Sequence, residues 1–178
     1  FFKIKGVPEI EIPDEAIPRF WYSDEYPKLE DGLFQTAAEK RITLGNIDFG
    51  INKPDYYDGK NPSEEEILEQ INKYNYGIAM TEVIFDAEPT RVDDVVIWPV
   101  MPVHRGKSGE VFMRSIGYRF QIQYEDLLRF LQKLNASESY ITVDAIKVTK
   151  SSLRDPRGPL NVELILSDAN FVPHSASG

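Results

Sequence analysis

The sequence predicts an α+β fold with helices packed on one side of a mainly antiparallel sheet. The first sign is an internal echo. Glu65-Glu66-Ile67-Leu68 followed by Ile71, Tyr74 and Asn75 is matched by Glu125-Asp126-Leu127-Leu128 followed by Leu131, Leu134 and Asn135. Each stretch runs into a β-branched segment, Ile78 to Ala87 and Tyr140 to Thr149, so a helix that buries one stripe and feeds a strand occurs twice. The second sign is strict alternation in Val111 to Gln123, with Ile116, Tyr118, Phe120 and Ile122 against Ser115, Gly117, Arg119 and Gln121. Strand–helix–strand–strand, twice, is a ferredoxin-like arrangement of two similar β-α-β-β units. They fall at 28-100 and 101-172, after an extended proline-rich lead-in at 1-27 and before a disordered tail at 173-178.

The lead-in carries Pro8, Pro13, Pro18 and Pro27, which remove amide donors and keep it extended; Phe20, Trp21 and Tyr22 are expected to pin it to the core. Lys28 to Arg41 spaces Leu29, Leu33, Phe34, Ala37 and Ala38 as a helix does, starting just after Pro27, with Gly32 costing roughly 1 kcal/mol relative to alanine. Ile42 to Ile51 alternates and predicts a strand with an irregularity near Gly45-Asn46. Asn52 to Pro62 is turn chemistry. Ser63 with Glu66 spells a capping box for a helix burying Ile67, Leu68, Ile71 and Tyr74. A strand from Ile78 to Phe85, a turn at Glu88-Pro89-Thr90 and a strand through Val92, Val95, Ile97 and Trp98 are expected next. Pro99 to Gly109 reads as a loop. Tyr124 to Asn135 then reads as a helix burying Leu127, Leu128, Leu131 and Leu134, in which Leu131→Ala costs on the order of 2–5 kcal/mol. Strands Tyr140 to Lys150 and Leu160 to Phe171 flank the polar loop Ser151 to Pro159.

With 178 residues the chain can bury a real core. Its net charge of −9 and pI near 4.8, with lysines and arginines scattered, argue against nucleic-acid binding, which needs a concentrated basic face. There is no cysteine, so disulfides, thiol chemistry and cysteine zinc sites are excluded. No apolar run approaches the roughly 20 residues of a membrane helix. The chain opens with Phe1-Phe2-Lys3 rather than methionine, which reads as a processed product or an expressed fragment.

No motif assembles a catalytic centre. Gly106-Lys107-Ser108 suggests a phosphate loop, but Met101 stands where that motif needs glycine, and a strand pattern rather than a helix follows. His104 and His174 have no ligand neighbours at metal spacing, and no Gly-x-Ser-x-Gly elbow occurs. Glu64-Glu65-Glu66 reads as a helix N-terminal turn and Asp93-Asp94 as an exposed hairpin edge that resists pairing with other strands. Asn135-Ala136-Ser137 spells a glycosylation sequon.

On Tyr124-Glu125-Asp126-Leu127-Leu128-Arg129-Phe130-Leu131, Ile141-Thr142-Val143 and Leu160-Asn161-Val162-Glu163-Leu164, the stretch Gln121 to Val172 resembles the C-terminal part of the PilO family of type IV pilus assembly proteins. Like GspM of type II secretion, these are inner-membrane components with a ferredoxin-like periplasmic domain. The resemblance implies a non-enzymatic periplasmic scaffold that acts through protein–protein contacts. Its partners would be a homodimer mate or a PilN-like heterodimer mate and other pilus or secretion components. The family carries a cytoplasmic start, one membrane helix and a coiled coil before this domain. Those segments are not among the 178 residues, so the expected location is the periplasmic face of the bacterial inner membrane, with membrane contact only through a missing N-terminal anchor. No catalytic, cofactor or metal residue is expected. The candidate contact surface comprises Trp21, Tyr22, Tyr56, Tyr57, Arg105 and Lys107, with the exposed strand edges. The alternative is a small-ligand-binding protein or hydrolase using a cleft between the two units, lined by Trp98, Tyr118 and nearby carboxylates.

Overall fold

The computed structural model describes residues 24–50, 63–136 and 141–173. The lead-in with Trp21 and Tyr22, the loop with Tyr56 and Tyr57, and the tail with His174 lie outside the described residues. In chain order the elements are α1 (Tyr26–Glu39), β1 (Thr43–Leu44), α2 (Glu64–Phe85), β2 (Arg91–Ile97), β3 (Met101–Arg105), β4 (Gly109–Ile122), α3 (Tyr124–Ala136), β5 (Ile141–Lys150) and β6 (Leu160–Pro173). The result is an α+β protein with one mixed, mostly antiparallel sheet in the order β1-β2-β4-β6-β5, with β3 also paired to β4. Among the described residues only the short β1–β2 pairing is parallel.

The alternation read in Val111 to Gln123 becomes β4, which pairs with β6 from Gly109↔Pro173 to Ile122↔Leu160 without a shift in register. Ile116, Tyr118 and Phe120 stand opposite Leu166, Leu164 and Val162, and all six are buried. These side chains join Val92 and Val95 of β2 and the buried residues of the three helices in a single cluster, so the helices cover one face. On the other face Arg119 and Glu163 are exposed.

The largest departure from the expected order is α2. The segment Ile78 to Phe85 is helix rather than strand, so the unit is helix then strands, and the echo survives as α2 leading to β2 and α3 leading to β5. A dense apolar run with β-branched residues cannot be told from a strand by spacing alone. Here Ile71, Tyr74, Met80, Ile84 and Phe85 are all buried, and the Thr81 hydroxyl donates to the Gly77 carbonyl one turn back at 2.7 Å. The capping box forms: Ser63 Oγ accepts from Glu66 N at 3.2 Å, and Glu66 Oε2 accepts from Ser63 N at 2.7 Å.

The expected strand Ile42 to Ile51 shrinks to Thr43–Leu44. Beyond it Gly45 N still donates to the Val92 carbonyl at 2.7 Å, in an approach so close that a Cβ on Gly45 would sit 2.6 Å from the Asp93 carbonyl oxygen. Phe49 then leaves the sheet to stack edge-on against Tyr74 at 5.5 Å, over Gly77. The expected loop Pro99 to Gly109 contains β3, whose Pro102 sits at a register shift on strand edge. Asp93-Asp94 falls just past the two residues of β2 that β1 pairs, Arg91 and Val92, at a bulge between Val92 and Asp94; on the other side Asp94 faces Arg119 of β4.

Helix faces also differ in detail. Phe34, Leu68 and Leu128 are exposed by 45%, 43% and 41%. Each lies one residue, or about 100°, from a buried neighbour (Leu33, Ile67, Leu127), so each falls at the rim of its stripe. In α3 the deep position is Phe130; Leu131 and Leu134 are only half-buried.

Gly32 sits within α1, and a Cβ there would meet no atom within 4 Å. Gly32→Ala should therefore raise stability by about 1 kcal/mol and the melting temperature by about 3 °C. An unchanged or lowered melt would refute it.

Burial raises the hydroxyl of Tyr118 well above its ordinary value, opposed by the hydrogen bond to Thr81 and assisted by Tyr76. Burial raises Tyr74 and Tyr76 in the same way. Above a pH of about 10 the unfolded chain loses protons that the folded one keeps, so stability must fall as pH rises through that point. Phenolate absorbance from these three residues should appear only with loss of far-UV dichroism. Ionisation of every tyrosine near pH 10 with the dichroism intact would contradict this.

Candidate interaction surface

Two of the six expected contact residues are described. Arg105 is the last residue of β3 and pairs through Nε with Glu110 of β4 at 3.1 Å. Lys107 lies in the following turn, which Gly106 N closes by donating to the Gly109 carbonyl at 2.9 Å. A hairpin here, rather than a helix, leaves no cradle for phosphate. His104 lies on exposed β3, and among the described residues no cluster of histidine, aspartate and glutamate could hold a metal ion.

The expected cleft does not bring Trp98 and Tyr118 together. The Trp98 ring lies over Gly117 on the helix-free face, where an added Cβ would come within 2.7 Å of it. Tyr118 is buried on the opposite face, its hydroxyl 3.0 Å from Thr81 Oγ1. The helix-free face instead bears a shallow groove of about 510 Å3 lined by Arg91, Asp93, Arg119, Lys147, Thr149 and Glu163 among others. Its cations are ion-paired: Arg91 with Asp93, Arg119 with Asp94 at 3.1 Å and Lys147 with Glu163 at 3.4 Å. Such exposed pairs contribute little to stability but leave the groove close to neutral.

A denser polar cluster binds β4, β6 and β5 at the far end of the sheet. On the helix side Arg114 grips Asp168 with Nε at 3.0 Å and Nη2 on the second carboxylate oxygen. The guanidinium lies 4.5 Å from the Tyr76 ring centroid, and the Tyr76 hydroxyl donates to the Arg114 carbonyl at 3.2 Å. On the other side Ser115 and Ser167 hydroxyls lie 2.7 Å apart, and Ser167 donates to Asp144, which also accepts from Thr142 at 3.1 Å. The Ser115, Ser167 and Thr142 hydroxyls tie β4, β6 and β5 together around the Asp144 carboxylate.

The least expected surface is β5. Every residue from Thr142 to Lys150 is exposed, and β5 pairs only with β6 among the described residues. Val143, Ile146 and Val148 stand opposite Leu166, Leu164 and Val162, on the helix side, yet remain 40%, 42% and 44% exposed. The core face therefore continues past the cover of the helices onto an open edge. The sequence signal was present in the alternation of Ile141, Val143, Ile146 and Val148, with a phase change at Asp144.

The fold is shared with solved structures. The core domain of a protein from Akkermansia muciniphila superposes with a TM-score of 0.60 at 15% identity, over 85% of this chain and 86% of that one. A structure from the same organism, of a protein without its transmembrane region, gives 0.57 at 15% identity over 87% and 86%. The type 4 fimbrial biogenesis protein PilO from Pseudomonas aeruginosa is also a structural neighbour, at 0.42 and 11% identity over 82% and 98%, too loose a superposition to argue from. No known family profile and no curated protein matches the chain. Among the described residues no helix is long and apolar enough to cross a membrane.

Asp168 is only 7% exposed, so losing Arg114 strands a buried charge. Arg114→Met should cost about 3 kcal/mol in chemical denaturation, and adding Asp168→Leu should recover most of it. A single variant as stable as the parent would show that the pair is not desolvated.

Proposed function

We propose that this chain is a non-enzymatic scaffold domain of a type IV pilus or type II secretion-like assembly, working by protein–protein contact at the periplasmic face of the inner membrane. The observation that carries the reading is that the PilO-like residues occupy one continuous piece of structure, the end of β4 with α3, β5 and β6, which ends in an apolar edge open to a partner. A shared fold with a protein whose structure was taken without its transmembrane region supports an anchored setting at the level of fold alone. A mostly antiparallel sheet with an open edge suits this role, because sheets extend by adding strands at an edge. The expected mates are a second copy or a PilN-like protein, with Trp21, Tyr22, Tyr56, Tyr57, Arg105 and Lys107 proposed to widen the contact.

The test is affinity capture of the full-length gene product from solubilised membranes, joined to a screen of the purified chain against hydrolase substrates and small ligands. Co-purification of membrane-anchored assembly proteins with no turnover supports the scaffold. Turnover or ligand binding abolished by Glu163→Gln in the groove, with the melt unchanged, overturns it in favour of an enzyme or binder.

A further inference from the structure

We propose that the loop 151–159 between β5 and β6 is a membrane-docking tip that sets Leu153 into the interface of an anionic phospholipid bilayer while Lys150, Arg154 and Arg157 meet its phosphates. The family resemblance implies membrane contact only through an anchor. This contact is a second, direct one, and it stands on the loop alone.

Leu153 is 94% exposed, against 65% for Met101, the next of the large apolar side chains among the described residues. Every residue from Ser151 to Arg157 is exposed, so the tip has no cover in its own fold. An exposed leucine on a loose segment carries little meaning, but this loop is braced from within. Ser151 N donates to the Pro159 carbonyl at 3.3 Å and closes the base. Arg154 N donates to Ser152 Oγ at 3.2 Å, Arg157 N to Asp155 Oδ1 at 3.0 Å, and Gly158 N to the Asp155 carbonyl at 3.2 Å. Pro156 and Pro159 fix two further backbone angles. The outward position of Leu153 is therefore built into the loop, and little freedom is left to lose on docking.

Charge selects the kind of partner. Lys150 to Pro159 holds three cations and one carboxylate, hence +2 in a chain of net −9. Elsewhere on the sheet cations are taken up by carboxylates, Arg114 by Asp168, Arg119 by Asp94 and Lys147 by Glu163. Lys150, Arg154 and Arg157 enter no ion pair among the described residues, and the Asp155 carboxylate is engaged by Arg157 N within the turn. An anionic surface attracts this end and repels the rest of the chain, so the charge distribution also sets the orientation.

Leu153 separates a bilayer from other polyanions. An acidic polypeptide satisfies the cations but leaves a lone protruding leucine without an apolar phase to enter. At a bilayer the cations stop at the phosphates, and a side chain projecting beyond them reaches the acyl boundary. One leucine and three cations make a weak, reversible contact, which gains strength when a second attachment holds the chain nearby.

The experiment is flotation of the 178-residue chain with vesicles of phosphatidylglycerol and phosphatidylcholine in equal parts, at millimolar lipid and low salt, beside vesicles of phosphatidylcholine alone. The chain should float with the anionic vesicles only, and added salt should release it. Lys150→Gln, Arg154→Gln and Arg157→Gln should each weaken binding about fivefold, and Leu153→Ser by at least about tenfold. All four side chains are exposed, so these variants should melt as the parent does. Insertion is read from Leu153→Cys carrying a polarity-sensitive fluorophore, on a chain with no cysteine of its own. Its emission should shift to the blue with anionic vesicles. The same label on Lys107→Cys, in the turn at the other end of the β4–β6 ladder, should not shift. No flotation, equal flotation with neutral vesicles, or an unshifted label at Leu153→Cys overturns the proposal. Binding that soluble polyglutamate abolishes and Leu153→Ser leaves unchanged also overturns it, and assigns the loop to an acidic polypeptide. None of these outcomes bears on the capture of assembly proteins, which judges the scaffold reading separately.

Discussion

The unbroken ladder between β4 and β6 is the constraint on which the molecule depends. Fourteen facing pairs run without a shift from Gly109↔Pro173 to Ile122↔Leu160. Because side chains alternate, this one register places Ile116, Tyr118 and Phe120 on the same face as Leu166, Leu164 and Val162. A slip by one residue would turn the three on one strand to the opposite face from the three on the other. The helices have a face to cover only because that register is held, and β2 and β3 attach to successive lengths of the same edge of β4.

Polar groups at the end of the ladder add a second restraint. Arg114–Asp168 on one face and Ser115–Ser167 on the other are facing pairs of the same two strands. An apolar row alone tolerates sliding by two residues; a bidentate ion pair and a matched pair of hydroxyls do not. The network extends through Asp144 into β5, so the same interactions that lock the register also fix the bulge. Core order and the shape of the open edge are in this way set together.

The opposite face of the sheet has a different character. Arg119, Asp94, Lys147 and Glu163 neutralise one another there, and Trp98 rests on Gly117 instead of closing a pocket. Paired charges keep such a face wet and discourage close packing, whereas the apolar side of β5 is left without cover.

Local chemistry was legible wherever a residue's neighbours along the chain decide its state. The capping box at Ser63 and Glu66, the alternation that becomes β4 and β6, the α3 stripe beginning at Leu127 and the polar turn before Leu160 all act within a few residues, and all appear where the sequence places them. Residues 78–85 were not legible, because a dense β-branched run satisfies either state until its surroundings choose; burial of Met80, Thr81, Ile84 and Phe85 along one face and the Thr81–Gly77 bond choose helix. The brevity of β1, the strand within Met101–Arg105 and the pairing of β2 on both sides depend on which distant backbone supplies hydrogen bonds. The open edge was half-written: the phase change at Asp144 is in the sequence, but only the tertiary structure shows β5 outermost among the described strands with its apolar side chains exposed. Periodicity says which side chains share a face; the packing of the whole chain decides whether anything lies against that face.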